Sequence, residues 1–186
     1  MPNRSHVLVD TEPLYVERRP TCFYSIKIRH PDSTLFLRLS SGFHCDWPVD
    51  PGSVARSGTV LWLSPGEWAI VDSDILMVET AVSQACRDTL HTVVEMHDAF
   101  TVYDISGSQS RMFLSKSCSL DLHPRVFREA RCAQTVFAQV YSIIVRPGPS
   151  AALRVYAESA YTTYLDEWLI DSAAEYATRT QVFGEP

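Results

Sequence analysis

The chain has 186 residues, 46% of them hydrophobic and 20% charged, with a formal net charge of −6. That length suits one domain with a sizeable core, and the acidic balance, with no basic run beyond pairs such as Arg18-Arg19, excludes a phosphate-tracking surface, so no nucleic-acid partner is expected. No apolar stretch approaches the roughly 20 residues of a membrane-spanning helix, and an N-terminus carrying Asp10, Glu12 and Glu17 does not read as a secretory signal, so neither a membrane partner nor export is expected.

Residues 1–20 are polar, contain Pro2, Pro13 and Pro20, and read as an extended N-terminal arm, disordered or laid along a neighbour. Strand-like alternation follows at 22–29 (CFYSIKIR) and again at 34–39 (TLFLRL), with a turn at Pro31-Asp32 between them. After a loop over 40–58, residues 59–63 and 68–71 form a hairpin around Ser64-Pro65-Gly66-Glu67, where Pro fixes φ and Gly accepts a positive one. Asp74 is placed to cap a helix from 75 to about 90, with Ile75, Val78, Val82, Ala85 and Cys86 on one stripe. Strands are predicted at 92–96 and 100–105, then a short helix at 107–117 with Ser106 as its cap. A long β region spans 132–145 with a bend near Gln139, and another strand spans 151–157 after the Pro147-Gly148-Pro149 turn. The last helix starts near Ser159 and ends before Thr178, with Tyr161, Tyr164, Leu165, Trp168, Leu169 and Tyr176 on one face. With Trp168 in the core, Trp168→Ala is expected to cost roughly 3–5 kcal/mol.

The connections are too short for parallel crossovers, so the order implies an α+β fold of mostly antiparallel sheets, with about three helices on one side. The halves 22–90 and 92–176 share this order, which points to a pseudo-duplicated domain over 21–178 with a tail at 179–186.

No residue cluster assembles a recognisable catalytic centre. The five cysteines form no CxxC pair and fit buried free thiols in a reducing cytoplasm. His44-Cys45-Asp46 offers three ligand types, but adjacent extended residues diverge and no complementary pair is visible, so a polar loop is the better reading and no metal is expected. In LDLHPR, Asp121, His123 and Arg125 would share one face if extended; they offer an acid–base pair or anion clamp, or else a structural loop or a rim against a partner. With no nucleophile motif beside them, the structural or interface reading is preferred. Ser106-Gly107-Ser108-Gln109-Ser110 reads as a helix cap rather than an anion site. Trp62 and Trp68, at either end of the hairpin, are expected as core or interface anchors.

Five segments carry a resemblance: LWLSPGEW at 61–68, VVEMHDAFTVYDISG at 93–107, SRMFLSKSCSLDLHPRVF at 110–127, CAQT at 132–135 and YTTYLDEWLIDSAAEY at 161–176. In this order they resemble the gamma subunit of heterotetrameric sarcosine oxidase, over roughly residues 22–176. Glu95 and His97 stand where that family commonly has Asp and Ser, and Ser64, Gly66 and Ser119 where it has Gly, Asp and Pro; these departures mark a divergent member and leave the amine substrate open.

The resemblance implies a fold related to the folate-binding domain of glycine-cleavage aminomethyltransferases. Those enzymes place glycines and carboxylates in a hairpin where this chain has Gln139-Val140-Tyr141-Ser142-Ile143-Ile144, so the implied role is a scaffold without its own chemistry. It implies alpha, beta and delta subunits as partners, with FAD, FMN, NAD and tetrahydrofolate on those partners and no cofactor, metal or catalytic residue on this chain. The alternative is a free-standing folate-binding or one-carbon-transfer module.

Overall fold

The computed structural model describes residues 8–11, 14–55, 58–148 and 152–176. Its elements in chain order are β1 (Leu8–Thr11), β2 (Leu14–Arg19), β3 (Phe23–Ile28), α1 (Ser33–Phe43), β4 (Val54–Ala55), β5 (Val60–Ser64), β6 (Glu67–Val71), α2 (Ile75–Ala85) and β7 (His91–Glu95). There follow β8 (Phe100–Ser106), α3 (Ser110–Ser115), β9 (Arg131–Phe137), β10 (Val140–Arg146), β11 (Leu153–Glu158) and α4 (Thr162–Ala173). The strands form a six-stranded sheet, β1-β2-β8-β11-β10-β9, and a five-stranded sheet, β4-β5-β6-β3-β7. Every strand pairing in them is antiparallel.

Strand alternation explains how the sheets stack. Along β3, Tyr24, Ile26 and Ile28 pack with α1 and α2, while Phe23 points the other way. Along β6, Trp68 and Ile70 join the helices and Ala69 and Val71 oppose them. In β8, Val102 meets Phe23 and Val71, while Tyr103 and Ile105 face Phe113, Leu165 and Leu169 of the second helix pair. Successive side chains leave a strand on opposite faces, so both sheets are apolar on both faces. The result is four layers, α1 and α2, the five-stranded sheet, the six-stranded sheet, then α3 and α4. The expected one-sided arrangement of about three helices becomes two sheets back to back, with helices on both outer faces.

The expected duplication is present in the topology. The order β4-β5-β6-β3-β7 matches β9-β10-β11-β8-β2. Helices α1 and α2 follow β3 and β6 as α3 and α4 follow β8 and β11. The strand after α2, β7, lies beside β3, whereas the matching place beside β8 is filled by β2 from the N-terminal end. The expected arm over 1–20 is therefore corrected for 14–19, which form an inner strand with Leu14 and Val16 in the core. The expected tail, 179–186, lies outside the described residues.

The predicted strand at 34–39 is helix α1. Leu35, Leu37 and Leu39 alternate, but Leu35, Leu39 and Phe43 also recur every four residues, and these three are buried while Leu37 is 72% exposed. The deciding signal is Asp32, whose carboxylate accepts the Leu35 N–H at 2.7 Å and caps the helix. Asp74 caps α2 as expected, accepting from Leu76 and Met77, but the helix stops at Ala85. The expected Ser106 cap is displaced, because α3 begins at Ser110 with Gln109 before it. The long β region is a hairpin, β9–β10, turning at Ala138 and Gln139 with φ of 46° and 67°, as a two-residue turn between twisted strands requires.

In α4, Leu165, Leu169 and Ala173 are buried, whereas Tyr161 and Tyr164 of the predicted stripe are exposed. Trp168 is half-buried against Phe113 and Phe137, with ring centroids 6.1 and 5.4 Å apart. Its truncation to alanine is accordingly expected to cost roughly 2–3 kcal/mol, less than a core tryptophan. A thermal melt checks this; an unchanged midpoint would contradict the packing of α4.

Candidate functional site

The β5–β6 hairpin sets Trp62 and Trp68 opposite one another, yet they do different things. Trp68 is 1% exposed and donates its indole Nε1–H to the Pro48 carbonyl at 2.7 Å. Phe36 and Trp47 lie 5.9 and 5.7 Å from it, ring to ring. It is a core anchor that also borders the cleft beside it. Trp62 is half-buried and lines a cleft of about 620 Å³ with Phe36, Val49, Pro51 and Pro65, and with Arg29 and His30 beside them. Gly66 shapes the cleft's edge. Its φ is +80°, a Cβ there would stand 2.7 Å from the Ile28 carbonyl oxygen, and its own carbonyl accepts the Ile28 N–H at 2.8 Å.

Asp121, His123 and Arg125 are exposed, and the segment is turned rather than extended. Asp121 Oδ1 accepts the His123 N–H at 2.8 Å, and His123 Nδ1 accepts the Arg125 N–H at 3.2 Å. The His123 carbonyl in turn accepts from Val126 and Phe127, while Leu122 and Phe127 sink into the core. Both side chains thus hold their own backbone, and an Nδ1 that accepts leaves the proton on Nε2. This is the structural-loop reading, with Arg125 left on the outside. His123→Ala is expected to change turnover per assembled complex by no more than about twofold. A large loss with intact assembly, measured by steady-state kinetics, would restore a chemical role to this loop.

The remaining sequence candidates also resolve into structure. His44 takes φ 52° as the left-handed cap of α1, and Cys45 packs on the core beside it. No group of three or more His, Cys, Asp or Glu that could hold a metal occurs among the described residues. The segment over 106–110 is a turn into a six-residue helix. In β10, Ser142, Ile143 and Ile144 are buried in the sheet, so the residues there do not form a carboxylate pocket for a one-carbon donor. The five cysteines are free, but only Cys86, Cys118 and Cys132 are buried as expected, since Cys22 just before β3 is exposed and Cys45 is half-buried; burial pushes the Cys132 thiol up to about 12, which makes it an inert core group.

Two polar constellations escaped the sequence. Arg18 and Arg19, adjacent on β2, leave on opposite faces. Arg18 reaches Asp166 of α4 at 2.6 Å, and the Tyr103 hydroxyl donates to the same carboxylate at 2.9 Å. Arg19 takes Asp72 through two nitrogens at 3.0 and 2.9 Å, and Asp104 at 2.8 Å. Burial opposes the Arg19 charge, but the bonds and charges of Asp72 and Asp104 outweigh it and hold its pKa above the usual value. Burial, with the Asp166 charge, pushes the Tyr103 phenol up. These pairs rivet β2 to α4 on one face, and to β8 and the turn after β6 on the other. The sequence signal was the Arg-Arg pair itself, read only as a short basic run.

The second constellation joins two of the departures seen in the sequence. His97 Nδ1 accepts the Phe23 N–H at 3.2 Å, while Nε2 lies 2.9 Å from Glu95 Oε1 and 3.2 Å from the Tyr24 hydroxyl. Glu95 and His97 are therefore a matched pair that closes the turn between β7 and β8 against β3.

The fold and these surroundings define the class: a four-layer, internally duplicated domain whose signature motifs build structure and one aromatic cleft. The family model for the sarcosine oxidase, gamma subunit family matches residues 36–175. The chain is similar to the sarcosine oxidase subunit gamma of Corynebacterium sp. (strain P-1), 29% identical over 151 residues, covering 80% of this chain and 74% of that protein. Similarity to the Arthrobacter sp subunit gamma is also 29% identity, over 153 residues, covering 81% of this chain and 75% of that one. Among solved structures, a chain of the heterotetrameric sarcosine oxidase from Corynebacterium sp. U-96, in complex with pyrrole 2-carboxylate, superposes with a TM-score of 0.77 at 27% identity. That match covers 95% of this chain and 91% of the other. This chain belongs to the sarcosine oxidase gamma subunit family.

Proposed function

We propose that this chain is the non-catalytic gamma-type subunit of a heterotetrameric flavoenzyme complex that oxidises sarcosine or a related secondary or N-methyl amine. The observation that carries the reading is the similarity across nearly the whole length of both chains to a subunit of a heterotetrameric sarcosine oxidase. Alpha, beta and delta subunits would be its partners, with FAD, FMN, NAD and tetrahydrofolate on those partners and the assembly in the cytoplasm. Its contribution is a rigid surface. Both sheets are packed on both faces, and the Asp121 and His123 side chains of the LDLHPR loop are engaged with the chain's own backbone.

The test is the purified chain alone against the chain co-expressed with the products of its neighbouring genes. The lone chain is expected to be colourless, to lack amine-oxidising activity and to give no heat with tetrahydrofolate in calorimetry, with activity appearing only in the co-expressed sample. Folate binding by the lone chain would favour the free-standing module instead. The packing of Ser142, Ile143 and Ile144 in β10 speaks against that module.

A further inference from the structure

The cleft at Trp62 has an apolar interior and an unusual rim. Arg29 and His30 are exposed beside it, and neither side chain forms a hydrogen bond or ion pair among the described residues. A second groove of about 400 Å³ shares Ile28, Arg29, Pro65 and Gly66 with the first and runs on to Leu90 and His91. Leu90 is 68% exposed. The two form one concave track across the end of the five-stranded sheet, with Arg29 at its centre. Lys27 borders the same track but is paired with Glu67 at 3.4 Å, so Arg29 carries the track's unpaired charge among the described residues. This basic, aromatic end belongs to a chain of net charge −6.

The walls are fixed before anything binds. His30 holds φ 51° and Gly66 φ 80°. The Arg29 N–H is tied to the Leu90 carbonyl at 2.9 Å, and Phe36 is seated on Trp68. A preformed apolar pocket loses little freedom on binding. Aromatic pockets ringed by polar groups are where binding energy concentrates in protein interfaces, and an arginine without a counter-ion selects a carboxylate.

Resting on the subunit reading above, we infer that this track receives an extended segment of a partner subunit, which seats an apolar side chain between Trp62 and Phe36 and sets a neighbouring carboxylate on Arg29. The two grooves supply length for several residues. The cation supplies direction and register, and the hairpin motif LWLSPGEW supplies the wall.

The test measures how tightly the full chain and its variants join the co-expressed complex, by mass photometry across a dilution series at two salt concentrations. Arg29→Glu and Val49→Asp alter exposed groups on the track, and Arg111→Glu, exposed on α3, controls for charge alone. The first two are expected to weaken assembly about tenfold or more, with Arg29→Glu also flattening the salt dependence, while the control assembles like the parent. A photo-crosslinker at Val49 is expected to capture a partner segment carrying Asp or Glu. Equal assembly of all variants, in a complex the parent chain does join, would overturn the inference and leave the subunit reading standing. A crosslink to a second copy of this chain would overturn it too. A parent chain that joins no complex would remove the subunit reading and this inference with it.

Discussion

Trp68→Ala is expected to destabilise the chain by roughly 3–5 kcal/mol, lowering the melting midpoint by on the order of 10 °C for a domain of this size. The indole is 1% exposed and fills the space between the five-stranded sheet and α1. Its loss opens a cavity beside Phe36 and Trp47 and leaves the Pro48 carbonyl without its donor. Trp68→Phe separates the two contributions. It keeps an aromatic ring, removes the N–H, and is expected to cost about 1–2 kcal/mol. Denaturant unfolding of both variants checks the account. An alanine variant that melts normally but fails to assemble would return Trp68 to the interface.

Removing residues 1–19 is expected to abolish cooperative folding, a loss comparable to the whole stability of a domain, roughly 5–15 kcal/mol. The truncation strips β2 from β8, uncovers the core where Leu14 and Val16 sat, and takes the arginines away from Asp72, Asp104 and Asp166. Asp104 keeps Arg154 at 3.2 Å, but Asp72 and Asp166 lose the cations that face them. The point variant Val16→Asp tests the same strand without shortening the chain, because an unpaired carboxylate at a fully buried position is strongly destabilising. Gel filtration and circular dichroism are expected to show aggregated, non-cooperative material for both. A monomer with a sharp melt would mean that β2 is dispensable.

The elements the sequence predicted well were those whose signals were local. Asp74 at the start of α2, Pro65-Gly66 between β5 and β6, and the turn at Gln139 stand where propensity and turn chemistry put them. Helix α1 was misread because one leucine, Leu37, completes an alternation that its burial does not support, while the cap at Asp32 went unused. The place of β2 was not legible at all. Its short apolar set, Leu14 and Val16, sits among prolines and charges, and what buries it is a strand more than eighty residues away. The second sheet was hidden for a related reason. Strands apolar on both faces, such as β6 and β10, lose the alternation that would assign each residue to a layer.

The candidate site divided in the same way. The sequence singled out Trp62 and Trp68 together, but which one is covered depends on the loop whose Pro48 carbonyl takes the Trp68 indole. Asp121 and His123 looked like chemistry because residues that satisfy a turned backbone are the same types that move protons. Only the 2.8 and 3.2 Å bonds to the neighbouring N–H groups separate the two roles. The Arg18 and Arg19 pairs were invisible because their carboxylates lie on β8, α4 and the turn after β6.

The central claim is that this chain works as a subunit, and native mass measurement tests it most directly. The chain is expressed alone and together with the products of its neighbouring genes, and flavin absorbance is recorded across each peak. The account predicts a large yellow complex containing one copy of this chain, and a colourless, poorly behaved species when it is alone. A stable lone monomer that stays apart from a yellow complex assembled without it would contradict the account.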